Sequence, residues 1–222
     1  MELTLFDLDG TLLATDSDHA FGEFMVEIGW VDGDVHRRRN DVFYAQYQAG
    51  ALDIDAYIDF ATAPWRERTA AELESARARF VQERIVPAVH DSALALVQRH
   101  REAGDLLAIV TATNDFITRP IADLFGVTTL IATELARDER GRATGAIQGV
   151  AAYREGKVAR VQQWLQTQHR GLGDFARSRF YSDSTNDLPL LEHVSHPVAT
   201  NPAPDLEAVA TARGWPIIRL FA

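Results

Sequence analysis

The sequence predicts an α/β fold: a parallel sheet with helices on both faces, interrupted by an inserted helical cap. Two observations carry this. Short apolar, β-rich runs alternate with segments of helical periodicity through most of the chain. One stretch, 16–89, breaks the alternation and holds only helical patterns.

The elements follow in order. Residues 3–6 are a short apolar run that stops abruptly at Asp7-Leu8-Asp9-Gly10-Thr11, as a buried strand followed by a turn would. Similar runs occupy 106–110, followed by Thr111-Ala112-Thr113-Asn114, then 129–131, 179–182 leading into Asp183, 197–199 and 216–218. Between them, apolar residues at helical spacing predict helices over 92–102, 115–125 and 156–168, with shorter ones at 188–193 and 205–212. Within the insert, helices are predicted at 19–28, 35–48, 54–63 and 70–85. Residues 134–149 read as a β-hairpin with the polar tip Asp138-Glu139-Arg140-Gly141-Arg142. The sheet-bearing core is therefore 1–15 plus 90–222, and the cap is 16–89.

Composition narrows the function classes. The 222 residues are 46% hydrophobic and 24% charged, ordinary for a folded domain with a substantial core. A formal net charge of −10 gives little counterion release on a polyanion, so nucleic acid is a poor partner. There are no cysteines, which excludes disulfides, thiolate metal sites and thiol catalysis. No apolar run approaches the ~20 residues that span a bilayer, and no basic leader opens the chain. The expectation is a cytoplasmic protein with no membrane partner; the sequence leaves the oligomeric state open.

In a parallel sheet the carboxyl ends of the strands share one edge, where ligands of open α/β sheets bind. Asp7 and Asp9, Thr111, Lys157, and Asp183 with Asp187 all fall at such ends or at the start of a following helix. Their chemistry is coherent. A carboxylate can attack phosphorus to form an acyl phosphate. The phosphate charge then needs neutralising, and a magnesium ion held by hard oxygens such as Asp7 and Asp183 can do this. Lysine adds positive charge and threonine a hydrogen bond. An acid two residues after the nucleophile can pass a proton to the leaving oxygen. Taken singly, each residue has a plainer reading: Asp as turn former or cap, Thr as strand end, Lys as surface charge. The run His36-Arg37-Arg38-Arg39 reads as a solvated helix face.

These segments, in this order, resemble the haloacid dehalogenase superfamily in its phosphoserine-phosphatase-like branch. Asp7-Leu8-Asp9-Gly10-Thr11 matches the first motif, Thr111 the second, Lys157 the third, and Asp183-Ser184-Thr185-Asn186-Asp187 the fourth. The resemblance implies a magnesium-dependent phosphomonoester hydrolase acting on a small phosphorylated metabolite through an aspartyl-phosphate. Asp7 would be nucleophile and metal ligand. Asp9 would be the general acid/base, lending its backbone carbonyl to the metal, and Asp183 would complete the protein ligands. Thr111, the Ala112 amide and Lys157 would hold the phosphoryl oxygens. Asn186 and Asp187 would act nearby, Asp187 through a metal-bound water.

Substrate choice falls to the cap. In phosphoserine phosphatases an acid after the first motif faces the substrate amine, and Asp16 matches it. A cap arginine there holds the substrate carboxylate, and alignment puts Asp59 in its place. Two acids would favour a cationic group without a carboxylate, so an amine-bearing ester such as histidinol phosphate is the first expectation. The alternatives are a phosphoserine phosphatase or phosphotransferase of the same superfamily and, from other classes, a phospho-receiver domain or a catalytically inactive binding protein.

Overall fold

The computed structural model of the chain describes residues 1–221. Strand β1 (Leu3–Phe6) leads into four helices, α1 (Ser17–Glu27), α2 (Gly33–Gln48), α3 (Ile54–Thr62) and α4 (Ala70–Phe80). Then come α5 (Asp91–Glu102), β2 (Leu106–Asn114), α6 (Asp115–Leu124), β3 (Leu130–Thr133) and an antiparallel hairpin of β4 (Leu135–Arg137) and β5 (Ala143–Ile147). The chain continues with α7 (Glu155–Thr167), β6 (Ser178–Ser182), α8 (Leu188–Leu191), β7 (His196–Thr200), α9 (Pro204–Arg213) and β8 (Ile217–Ile218).

Six strands make one parallel sheet in the order β3-β2-β1-β6-β7-β8. The order reverses at β1, so the crevice between β1 and β6 is the switch point of the sheet. Register fixes what meets there. Phe6 lies opposite Ile109 on one side and Tyr181 on the other, so the next residues of β1, β2 and β6 arrive at one edge together. The Asp7 amide donates to the Tyr181 carbonyl at 2.9 Å, which extends the pairing one residue past β1.

Successive strand residues face opposite sides. Leu3 and Leu5 join Ala108, Val110 and Phe180 under α7, α8 and α9. Phe6 joins Ile109 and Tyr181 in a second cluster that runs without a break into the helical insert, through Leu8, Leu12 and Leu13 to Phe21, Phe24, Trp65 and Phe80. Phe21 is central there. Its ring meets Phe80 edge-on at 4.9 Å and Trp65 edge-on at 5.5 Å, and Phe116 of α6 closes the group.

The insert is therefore rooted in the core on one side. Its other side is tied by two hydrogen bonds near the carboxyl end of α2. Asn186 Nδ2 donates to the Tyr47 carbonyl at 2.8 Å, and Arg154 Nη1 to the Gly50 carbonyl at 2.7 Å. Carbonyls at a helix end lack helical partners and carry the negative end of its dipole, which suits donors there. Among the described residues, no helix is long and apolar enough to cross a membrane.

Three details differ from the sequence reading. Strand β2 runs on to Asn114 through a register shift after Val110, and Asn114 then caps α6 by accepting from the Ile117 amide at 3.2 Å. The helix expected over 70–85 stops at Phe80; a π turn follows, then a 3₁₀ turn that contains Pro87, whose missing N–H cannot extend an α-helix. His36 is buried rather than solvated and stacks on Phe60 at 4.6 Å, while Arg37 pairs with Glu23.

Phe21→Ala removes the ring that joins insert to core. Urea unfolding should show a loss of about 3–5 kcal/mol; a loss below about 1 kcal/mol would mean that the aromatic group does not bear on stability.

Candidate active site

At the end of β1 the Asp7 side chain turns into the switch crevice and is almost fully buried. Lys157, from the first turn of α7, reaches it and is 1% exposed. Its Nζ lies 2.9 Å from Asp7 Oδ1 and 2.7 Å from Asp187 Oδ1. Ser182, the last residue of β6, donates its hydroxyl to Asp187 at 2.7 Å. Burial alone would lower the Lys157 pKa, but Asp187 and Asp7 outweigh it and hold the lysine charged, above its ordinary value. Burial raises Asp7, opposed by Lys157 and reinforced by Asp9. Burial likewise pushes Asp187 up to about 6 against the pull of Lys157.

Asp183, just past β6, stands beside this pair. Thr11 donates to its Oδ1 at 3.1 Å. Gly10 has φ +73°, and a Cβ there would sit 2.4 Å from Asp183 Oδ2, so the tight turn of the first motif leaves room for that oxygen. The turn is held from below by Asn201, whose Nδ2 donates to the Gly10 and Thr11 carbonyls at 3.0 and 3.1 Å.

The donor set fits a hard cation. Asp7 Oδ2 and Asp183 Oδ2 accept no side-chain hydrogen bond among the described residues, and Lys157 is the sole cationic side chain paired with this group. Burial and the charges of Asp7 and Asp187 raise Asp183 well above the carboxylate range, which marks an uncompensated negative cluster. No three His, Asp or Glu side chains among the described residues form a metal site by themselves. An ion here would take backbone carbonyls and water as well, which is the habit of magnesium.

Over Asp7 opens a cavity of about 490 Å³, counting the open solvent at its mouth. Thr111, Ala112 and Thr113 line one end; Asp9, Asp16, Asp18, His19 and Asn40 line it with the rings of Phe43, Tyr44, Tyr47 and Tyr57. Asp9 is fixed at both oxygens: the Ser17 amide donates to Oδ1 at 2.8 Å and the Thr113 hydroxyl to Oδ2 at 2.8 Å. Burial, then the charge of Asp16, pushes Asp9 up to about 7, against those two hydrogen bonds. A carboxyl group in that range can both give and take a proton near neutral pH.

The residues picked from sequence are not all in one place. Asp7, Asp9, Asp16, Thr111 and Ala112 line the cavity; Lys157, Asp183 and Asp187 adjoin it. Asp187 holds Lys157, and Asn186 is turned toward the insert, on the Tyr47 carbonyl. Asp59 is a correction. It lies on the outer side of α3, exposed and paired with Arg66, and does not line the cavity. Its neighbours Tyr57, Ile58, Phe60 and Ala61 take the buried positions. Sequence reading passed over Asp18, Asn40, Tyr57, Thr113 and Asn201. The spacing of Asp18 two residues after Asp16 was a signal, but acids are common in a first helical turn.

Lys157→Met should expose the charge balance of the site. Below pH ~6 Asp187 is protonated with or without the lysine. Above it, the variant must keep a buried carboxyl unpaired or hold a proton that the wild type releases, so its stability deficit should widen as pH rises. Urea unfolding at pH 5 and pH 8 without divalent ions checks this; a deficit that is constant or narrows would refute the assigned pairing.

The chain is similar to several known proteins. Residues 4–192 match the family model for haloacid dehalogenase-like hydrolase. The chain is 43% identical over 216 residues to the histidinol-phosphatase of Neisseria meningitidis serogroup C (strain 8013), covering 97% of each. A crystal structure of a protein of unknown function from Bordetella pertussis Tohama I is 46% identical, with a TM-score of 0.93 and 99% of both chains covered. A substrate-bound phosphoserine phosphatase shares the fold at 17% identity, with a TM-score of 0.69 over 99% of this chain and 92% of that one. The chain belongs to the haloacid dehalogenase-like hydrolase family and is one of its phosphatases, with the phosphoserine-phosphatase fold.

Proposed function

We propose that the protein is a magnesium-dependent phosphatase for a small, amine-bearing phosphomonoester, histidinol phosphate first. The observation that carries this is the lining of the cavity over Asp7: three acids besides the nucleophile, aromatic rings, and no arginine or lysine. A phosphoserine site needs a cation for the substrate carboxylate, and carboxylates facing one another repel. The acids complement a cationic metabolite instead. The 43% identity to a histidinol-phosphatase over nearly the whole chain supports the same choice.

In this reading Asp7 Oδ attacks phosphorus while the bond to the ester oxygen breaks. Asp9, protonated near neutral pH, passes its proton to that oxygen, leaving an aspartyl-phosphate on Asp7. Asp9 then takes a proton from the water that attacks the intermediate. Thr111 and the Ala112 amide hold phosphoryl oxygens, and Lys157 fixes Asp7 and supplies positive charge. Asp7, Asp183 and the Asp9 carbonyl would hold the magnesium, which neutralises phosphoryl charge when bound. The insert excludes bulk water from the reacting end.

A panel of phosphomonoesters tests the reading. With magnesium, kcat/KM should be highest for histidinol phosphate, lower for phosphoethanolamine and glycerol phosphate, and lowest for phosphoserine. EDTA should abolish turnover and added magnesium restore it. A preference for phosphoserine, or full activity in EDTA, would contradict it.

A further inference from the structure

The cavity has two chemically different ends. Thr111, Ala112 and Thr113 frame the reacting end beside Asp7 and Asp9. Apart from Asp7 and Asp9, the rest of the lining comes from the insert. There, Asp16 and Asp18 have different local roles. Asp16 is the N-cap of α1, and its Oδ1 is taken by the His19 amide at 2.8 Å. Asp18 sits in the first turn with no such duty. The Tyr57 hydroxyl hydrogen-bonds to it, and Asn114 Nδ2 makes a longer contact at 3.4 Å. No lysine or arginine pairs with Asp18 among the described residues, and its charged neighbours are Asp16 and Asp9.

A second side chain makes the same demand. Asn40, from α2, lines the cavity and is 2% exposed. Its Nδ2 donates to the His19 carbonyl at 3.0 Å, but its Oδ1 accepts nothing among the described residues. That amide oxygen faces no protein donor and can accept from a ligand in the cavity. Phe43 and Tyr57, whose rings meet at 5.3 Å, add aromatic surface to the same wall. This end thus offers a carboxylate, an amide oxygen and aromatic rings, and no lysine or arginine lines it. A planar or compact cation carrying N–H donors satisfies all three. Burial and the nearby carboxylates push the Asp18 carboxyl well above its ordinary range, a state that a bound cation relieves.

We propose that Asp18, set against Tyr57 and Asn40, receives the cationic end of the substrate and is the residue that selects it. This rests on the amine-bearing substrate proposed above. Asp16 shapes the helix entry and Asp18 reads the ligand. The substrate then spans the cavity, phosphate at Thr111 and cation at Asp18.

Kinetics of Asp18→Asn and Asp18→Glu on histidinol phosphate and on glycerol phosphate, which has no cation, test this. In Asp18→Asn the ratio of kcat/KM for the two esters should fall about tenfold or more, as expected for losing a charge-assisted hydrogen bond, with most of the fall in KM. Asp18→Glu, which keeps the charge, should recover part of the ratio. Inhibition by histidinol should weaken in Asp18→Asn while inhibition by inorganic phosphate holds. A wild-type enzyme without preference for histidinol phosphate would sink the substrate reading and this inference together. A wild-type preference that Asp18→Asn leaves unchanged, or an equal loss on both esters, would overturn the role of Asp18 alone. If Asp18→Asn fails to fold, Tyr57→Phe and Asn40→Ala supply the same ratio, and two unchanged ratios would overturn the assignment of this end of the cavity.

Discussion

The structure turns on one buried cation. Lys157 enters from α7 on one face of the sheet and meets Asp7 at the end of β1 and Asp187 after β6. A lysine that is 1% exposed is stable only where its charge is matched at close range. The match here fixes three segments distant in sequence, from 7 to 187, at the switch point of the sheet. Two acids meet that single cation, and Asp183 stands beside them without one. The site is left with surplus negative charge, which a hard divalent ion would balance in the proposed mechanism and so let an anionic phosphoryl group approach.

The insert bears on that site in two ways. Its base shares an apolar cluster with the sheet face, through Phe21, Phe80 and Phe116, so it is part of the folded unit. The carboxyl end of α2 is held to the rest by two hydrogen bonds to backbone carbonyls, from Asn186 and Arg154. Asn186 directly precedes Asp187, so the fourth motif grips the lysine on one side and the insert on the other. The tie to the insert and the pairing with Lys157 therefore fall on adjacent residues.

Much of this was legible in the sequence. The strands were marked by apolar runs that end in chemistry-bearing turns, and in a parallel sheet such ends must converge. Asp7, Asp9, Lys157 and Asp183 could be picked out for that reason. Asp59 was misplaced because an alignment through helices carries no information on which face a residue takes. The spacing of Tyr57, Ile58 and Phe60 already implied an outward Asp59. Asp18 was hidden because a carboxylate in a first helical turn has an ordinary local explanation. Asn201 was hidden because its work is tertiary: it holds the Gly10 turn from a loop almost two hundred residues away. The far end of the cavity is assembled from α1, α2 and α3, and no local pattern reports how three helices pack.

In the proposed mechanism Asp7 carries the phosphoryl group. Rapid quenching during turnover of histidinol phosphate, followed by borohydride reduction and peptide mass spectrometry, tests it directly. An acyl phosphate on Asp7 is reduced to homoserine, so the peptide containing Leu5-Phe6-Asp7-Leu8 should carry that change at residue 7 and lose it in Asp7→Asn. Reduction at Asp9, Asp183 or Asp187 instead, or turnover retained by Asp7→Asn, would contradict the account.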